Sequence, residues 1–246
     1  MSSPGATRVA PGEVATPGCT RATRRARPLL GTLVEVGVAC DGEVEPMIAA
    51  AFAAIADVQR RLSRFDAASE IGRFHALAAG GSVAVEPDSA EVLAAARELH
   101  LASHGLFDIT QGTGPDAWHC DGHRLHKRRD AVRLDLGGIA KGHAVDRAVA
   151  ALRGQGCAAG WVNAGGDLRV FGDIDVPVNL RDEDGGGVRP FATLGDGALA
   201  TSRLQAHVSV AAPCCRWADA LTKVVALSRD PHHPLLARYG ARAWLH

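Results

Sequence analysis

Residues 134–172 read LDLGGIAKGHAVDRAVAALRGQGCAAGWVNAGGDLRVFG, and the fold class turns on this stretch. Asp135 ends a short β-like run and Gly137-Gly138 make a turn. From Ile139 to Leu152 the apolar residues recur at helical spacing until Gly154 stops them. Two β-like runs follow, Gly160 to Asn163 and Leu168 to Phe171, joined by the turn Asn163-Ala164-Gly165-Gly166-Asp167. A helix that starts on a glycine turn leaves amide N–H groups pointing outward, which suits phosphate, and Lys141 adds a cation in the first turn. Asp135 and Asp146 suit a metal, a ribose hydroxyl or neither. The second turn's glycines permit positive φ and close approach of a ligand. Each turn alone is also what a structural connection looks like, but two of them beside acidic and basic residues point to anion binding. Gly142 after Lys141 excludes the P-loop pattern, and G-x-G-x-x-G is missing, which excludes a Rossmann fingerprint.

Outward from this stretch, helices and strands continue to interleave. On the N-terminal side Gly31 to Ala39 alternates as a strand does. Met47, Ile48, Ala51, Phe52, Ile55, Val58 and Leu62 form one stripe on a helix from Glu45 to Leu62. A further helix follows Asp88, with Glu91 completing a capping box and Gly105 as its stop. On the C-terminal side come β-like runs at Val176 to Leu180 and His207 to Ala211, helices at Arg216 to Leu227 and Pro234 to Tyr239, and a short strand to His246. Without regular βαβ spacing this reads as α+β, with residues 27–246 as one domain. Residues 1–26, rich in Ser, Thr, Pro, Gly, Ala and Arg, read as a disordered basic tail.

Composition narrows the function classes. Lys plus Arg (27) balances Asp plus Glu (27), so no net field draws the chain to nucleic acid or anionic lipid. No run of about 18 apolar residues occurs, which argues against a transmembrane span. Aromatics at 4% leave an aliphatic, Ala-rich core. The six cysteines show no C-x-x-C spacing, so a zinc or redox site is not indicated, and Cys214-Cys215 read as small buried hydrophobes. Arg24-Arg25 is followed by no apolar stretch and Cys19 sits in no lipobox-like context, so the expected location is the cytoplasm. Asp219 and Lys223, four apart on a helix, read as an i,i+4 ion pair; more sharply, Asp219 reads as a hard-oxygen ligand for Mg²⁺.

Together these blocks resemble the FAD:protein FMN transferases, the ApbE-like flavin transferases, from Arg27 almost to the C-terminus. Leu30-Gly31-Thr32 is similar to that family's M-G-T. Ser63-Arg64-Phe65-Asp66 followed by Ser69-Glu70-Ile71 resembles its S-x-Y/F and S-E-I blocks, and Gly105 to Thr110 its G-x-F-D-x-T. Asp135 to Asp146 matches D-L-G-G-I-A-K-G-x-A-x-D. Asn163 to Asp167 resembles N-x-G-G-D, Ala200-Thr201-Ser202 its A-T-S, and Ala218 to Leu221 its A-D-A-L. The resemblance implies a tunnelling-fold-like core of mixed sheet and packed helices. It also implies a FAD site at Leu30, Phe65, Leu106, Phe107, Asp108, Asp135 and Lys141, and Mg²⁺ held at Gly138, Asp219 and Lys223. The implied chemistry is Mg²⁺-dependent transfer of FMN from FAD to a Ser or Thr hydroxyl of an acceptor protein carrying a D-G-x-[ST]-G-A-[ST]-like motif, with release of AMP. The nucleophile then lies on the acceptor, and no catalytic side chain is assigned to this chain. Family members are commonly exported.

Two departures stand out. The family's H-I-x-D-P-x-T-G segment is missing between Ser202 and Val208, where only Arg203-Leu204-Gln205-Ala206-His207 stands. The position of the metal-ligating Thr holds Lys223, with Thr222 about 100° round the helix. These departures leave open a non-catalytic FAD-binding protein, or hydrolysis of FAD to FMN and AMP. His143, His207 and the group His119, His123 and His126 have no role in the resemblance and read as surface or helix-face histidines.

Overall fold

The hairpin around Gly165-Gly166 lies at the middle of the largest sheet. The structure is a computed structural model and describes residues 9–11, 22–40, 42–181 and 186–246. In chain order its elements are β1 (Val9–Pro11), β2 (Thr23–Leu29), β3 (Thr32–Val38), α1 (Val44–Leu62), α2 (Glu70–Ala76), β4 (Ser82–Ala84), α3 (Pro87–Ala102), β5 (Trp118–Cys120) and β6 (Arg124–Lys127). There follow α4 (Ala140–Gly154), β7 (Gly160–Ala164), β8 (Asp167–Phe171), β9 (Val176–Arg181), β10 (Val188–Leu194), β11 (Gly197–Ser202), β12 (Val208–Ala212), α5 (Cys215–Ser228), α6 (Leu235–Arg238) and β13 (Arg242–Leu245). Seven strands pair in the order β13-β12-β11-β8-β7-β3-β2, and every pairing in this sheet is antiparallel.

Side-chain alternation gives this sheet two different faces. Val34, Val36 and Val38 of β3, Val162 and Ala164 of β7, and Val208, Val210 and Ala212 of β12 are buried in the main core under α1, α4 and α5. That core is aliphatic and rich in alanine, and Ala144, Ala148, Ala198, Ala200, Ala218 and Ala220 are fully buried. Small residues let the helices approach: a Cβ on Gly142 would lie 2.3 Å from the Cys215 carbonyl oxygen, so α4 and α5 cross backbone to backbone there. On the opposite face Leu168, Val170 and Leu199 form a smaller core with Leu194, supported by Trp161, Val176, Val178 and Phe191 beneath the three-stranded sheet β1-β10-β9. The α+β reading and the packed helices hold. No helix of the described residues is long and apolar enough to cross a membrane.

Several expectations need correction. Residues 23–26 lie in β2, paired in register with β3 from Thr23↔Val38 to Leu29↔Thr32, because the hairpin extends the sheet outward to an exposed edge that tolerates the charged side chains. Val9–Pro11 is also a strand, and residues 1–8 and 12–21 of the expected tail lie outside the described residues. Asp135 ends no strand: its N–H donates to the Ile109 carbonyl at 2.7 Å, in a segment with no ladder partner. Asp88 does not cap α3. Pro87 takes the first helical position, where its missing N–H costs nothing. The Asp88 carboxylate meets His143 Nε2 (3.0 Å), Arg61 (3.1 Å) and Arg147 (3.1 Å), so His143 is buried rather than on the surface.

Candidate functional site

Three elements converge below the Gly137-Gly138 turn: the first turn of α4, the start of β8, and α5. Lys141 in α4 forms an ion pair with Asp167 of β8, and its Nζ lies 3.8 Å from Asp219 Oδ2 in α5. Lys223, one turn further along α5, donates from Nζ to Asp219 Oδ1 and to Thr222 Oγ1, both at 2.9 Å. Asp219 Oδ2 accepts the Gly142 N–H at 3.2 Å. Asp219 is fully buried and Asp167 is 2% exposed, whereas the side chains of Lys141 (33%) and Lys223 (19%) reach outward. Two carboxylates therefore sit underneath and two ammoniums sit over them.

The charges respond accordingly. Burial alone would push the Asp219 carboxyl up, but Lys223 and Lys141 outweigh it and hold it below the usual carboxylate range. Asp167 is pushed up to about 7, by burial and then by the Asp219 charge, with Lys141 pulling the other way. Burial works against the Lys141 ammonium, yet Asp219 and Asp167 together raise its pKa.

Lys141 also lines a groove. A ≈ 270 Å³ cavity is bounded by Leu30, Gly31, Val58, Leu62, Phe65, Asp135, Leu136, Gly137, Ala140 and Lys141. An adjoining cavity of ≈ 330 Å³ shares Arg64, Phe65 and Asp135 and adds Thr110, Gln111 and Arg133. Phe65 is 85% exposed with the Arg64 guanidinium 4.5 Å from its ring centroid, a large apolar face offered to solvent. Leu30 sits at φ +56° in the tight β2–β3 turn, where its N–H donates to Gln59 Oε1 at 2.6 Å. Asp135 arranges this wall: Oδ1 accepts the Gly137 N–H at 2.9 Å, and Oδ2 accepts from Gln111 Nε2 at 2.7 Å and faces Arg64 at 3.4 Å.

Behind the Asn163–Asp167 turn lies a larger cavity of ≈ 720 Å³, lined among others by Thr32, Glu35, Trp161, Asn163, Gly165, Gly166, Thr201 and His207. Gly165, at φ +63°, presses on Thr32: a Cβ there would lie 2.4 Å from Thr32 Oγ1. Gly31 and Thr32 thus face the groove and the larger cavity respectively. Lys141 lines the groove and pairs with Asp167, at the end of the turn that lines the larger cavity.

The expected site residues are not all brought together. Leu30, Phe65, Asp135 and Lys141 line the groove; Leu106, Phe107 and Asp108 do not. Phe107 is 3% exposed and Leu106 packs against the main core. The Asp108 carboxylate is turned into its own loop, accepting the Thr110 N–H (2.8 Å), the Thr110 hydroxyl (2.8 Å) and the Gly112 N–H (2.9 Å). The Gly137 amide is likewise engaged by Asp135, so the turn does not present it to an anion. Asp146 accepts the Cys215 and Arg216 N–H groups at 2.9 and 2.8 Å and so caps α5, a structural role. His207, read as a surface or helix-face histidine, lines the larger cavity. Sequence spacing does not mark Asp167, because it meets Lys141 from 26 residues away, whereas Thr222 accepts from its chain neighbour Lys223.

Gly138, Asp219 and Lys223 do meet: a Cβ on Gly138 would lie 3.4 Å from Lys223 Cγ and Cε. As a donor set they do not fit Mg²⁺, which takes oxygen ligands in near-octahedral array. One carboxylate is present, its two oxygens are engaged by an ammonium and an amide, and the Thr222 hydroxyl accepts from the same ammonium. Among the described residues no group of three or more His, Cys, Asp or Glu is placed to hold a metal ion.

Comparison with known proteins bears on this geometry. The chain matches the ApbE family over residues 30–127 and 119–204. A curated FAD:protein FMN transferase from Rhodobacter capsulatus is 34% identical over 128 aligned residues, which cover 40% of this chain and 24% of that protein, so the match spans about a quarter of the relative's length. The flavin transferase ApbE from Vibrio cholerae superposes with a TM-score of 0.81 at 18% identity, covering 92% of this chain and 93% of that one. The Pseudomonas stutzeri flavinyl transferase ApbE in its apo form gives 0.78 at 20% identity, covering 95% and 92%. An ApbE protein from Thermotoga maritima gives 0.80 at 20% identity, covering 92% and 94%. These likenesses show the fold.

Proposed function

Because the chain belongs to the ApbE family, we propose that it is a flavin transferase that moves FMN from FAD to a Ser or Thr hydroxyl of a partner protein. The observation that carries this reading is the place of Lys141, which lines the groove beside Leu30 and Phe65 and whose ammonium pairs with Asp167 at the end of the turn lining the larger cavity. A dinucleotide has two ring systems joined by a diphosphate, and a cation between two cavities suits that shape. Phe65 and Leu30 offer apolar surface to one ring. Lys141, fixed from below by Asp167 and Asp219, faces the charge of the bridge.

In the transfer, the acceptor oxygen forms a bond to the flavin-side phosphorus while the bond from that phosphorus to the bridging oxygen breaks. AMP leaves with the bridging oxygen, and the hydroxyl proton passes to solvent. Preorganised ammoniums stabilise the charge that builds on the phosphoryl oxygens and on the departing AMP. The donor set at Asp219 does not suit Mg²⁺, so no step is assigned to it.

The test is incubation with FAD and a peptide of the pattern D-G-x-[ST]-G-A-[ST]. The reading predicts that the peptide gains the mass of FMN less water while one AMP is released per adduct. Free FMN and AMP without adduct would mean a hydrolase instead. Bound FAD without AMP would mean a binding protein.

A further inference from the structure

We propose that Lys223 stands in place of a divalent cation, so that this chain holds the diphosphate of its dinucleotide without Mg²⁺. The proposal rests on the reading of the site as a FAD site. Asp219 is fully buried with its Oδ1 2.9 Å from Lys223 Nζ. A metal ligated by that oxygen would have to displace the ammonium or sit against it, and two like charges at that range repel strongly in a poorly hydrated place. The Thr222 hydroxyl is turned the same way: it accepts from Lys223 Nζ at 2.9 Å while donating to the Asp219 carbonyl at 2.7 Å. The Lys223 stem then runs over Gly138, where even an added Cβ would meet Cγ and Cε at 3.4 Å. The Asp219 carboxylate and the Thr222 hydroxyl thus both fix one ammonium.

That ammonium keeps a way out. The Lys223 side chain is 19% exposed although its carboxylate partner is wholly enclosed. Its Nζ makes two short donor contacts and one long one, 3.5 Å to the Asp219 carbonyl, so one proton is only weakly held within the cluster. Lys141 Nζ lies 3.8 Å from the other oxygen of the same carboxylate. Two ammoniums thus bracket one carboxylate, an arrangement that would bind a diphosphate as ordered point charges rather than through a shared metal.

The experiment is a titration of the whole chain with FAD, followed by quenching of flavin fluorescence, once in excess EDTA and once in excess MgCl₂. The proposal expects wild-type dissociation constants that agree within about threefold between the two conditions. Lys223→Thr, with folding checked by circular dichroism, is expected to bind about tenfold more weakly in EDTA and to regain affinity with Mg²⁺, since it removes the ammonium and restores an oxygen. Lys223→Arg keeps the charge and is expected to stay indifferent to EDTA. A wild-type affinity that collapses in EDTA would overturn the proposal while leaving the FAD site intact. A Lys223→Thr protein equal to wild type in EDTA would overturn it too. Absence of FAD binding under both conditions would overturn the site reading itself, and the proposal with it.

Discussion

Replacing Asp219 by alanine removes a carboxylate that both lysines face, and its cost follows from the contacts. Asp219 has no exposed surface, and its loss takes from the Lys223 ammonium its ion-pair partner, leaving it the Thr222 hydroxyl, and takes from the Gly142 N–H its acceptor. Breaking a buried pair by deleting one partner costs about 3–5 kcal/mol. Two features place this case at the low end: Lys223 is 19% exposed and can turn toward water, and Lys141 keeps Asp167. We therefore expect about 3 kcal/mol, which leaves a folded protein if its stability is the usual ~5–15 kcal/mol. For a chain of this size that is a Tm lower by roughly 6–12 °C. Urea unfolding of wild type, Asp219→Ala, Lys223→Met and the double variant separates pair from surroundings. The double variant should lose clearly less than the two singles added together, since each single leaves a charge without its partner. An Asp219→Ala cost below about 1 kcal/mol, or full additivity in the cycle, would refute the coupled buried cluster.

Three further outcomes follow from neighbouring residues. Asp167 has a folded pKa of about 7 against an ordinary 3.8 because of burial and then Asp219, so the folded chain holds the extra proton across that window. Its contribution is full below the lower value and is lost as pH rises through the higher one, so stability measured by urea between pH 4 and 8 should decline less steeply in Asp167→Asn; an unchanged slope would remove Asp167 as its source. Gly165→Ala puts a Cβ 2.4 Å from Thr32 Oγ1 at φ +63° and should destabilise by about 2 kcal/mol or more, a loss that Thr32→Ala in the same chain relieves only in part. Phe65→Ala, at a side chain 85% exposed, should change stability by less than about 0.5 kcal/mol yet weaken FAD binding about tenfold, read from fluorescence quenching against urea midpoints.

What could be read from the sequence divides by range of interaction. The stripe of α1 and the Asn163–Asp167 hairpin are local patterns, and both stand in the fold. Strand β11, GALATS, carries small residues with little contrast between faces, and β10 contains Pro190 at a register shift, so neither announces itself as a strand. α2 is set by Ser69, whose hydroxyl accepts the Gly72 N–H at 2.8 Å, a capping signal beside a helix too short for a clear period. Leu30, Phe65, Asp135 and Lys141, from four separate motifs, line one groove. Asp108 does not, because an aspartate two residues before a threonine satisfies itself within its own loop. The partners of Lys141 and Asp88 lie 26 and 55 residues away, a distance over which spacing carries no information.

The most direct measurement is a crystal structure of the chain grown with FAD. The account predicts a diphosphate within hydrogen-bond distance of Lys141 Nζ and Lys223 Nζ, one ring of the dinucleotide against Leu30 and Phe65, and the other beyond the Asn163–Asp167 turn. A dinucleotide seated away from both lysines, or crystals that exclude it at saturating concentration, would contradict the account.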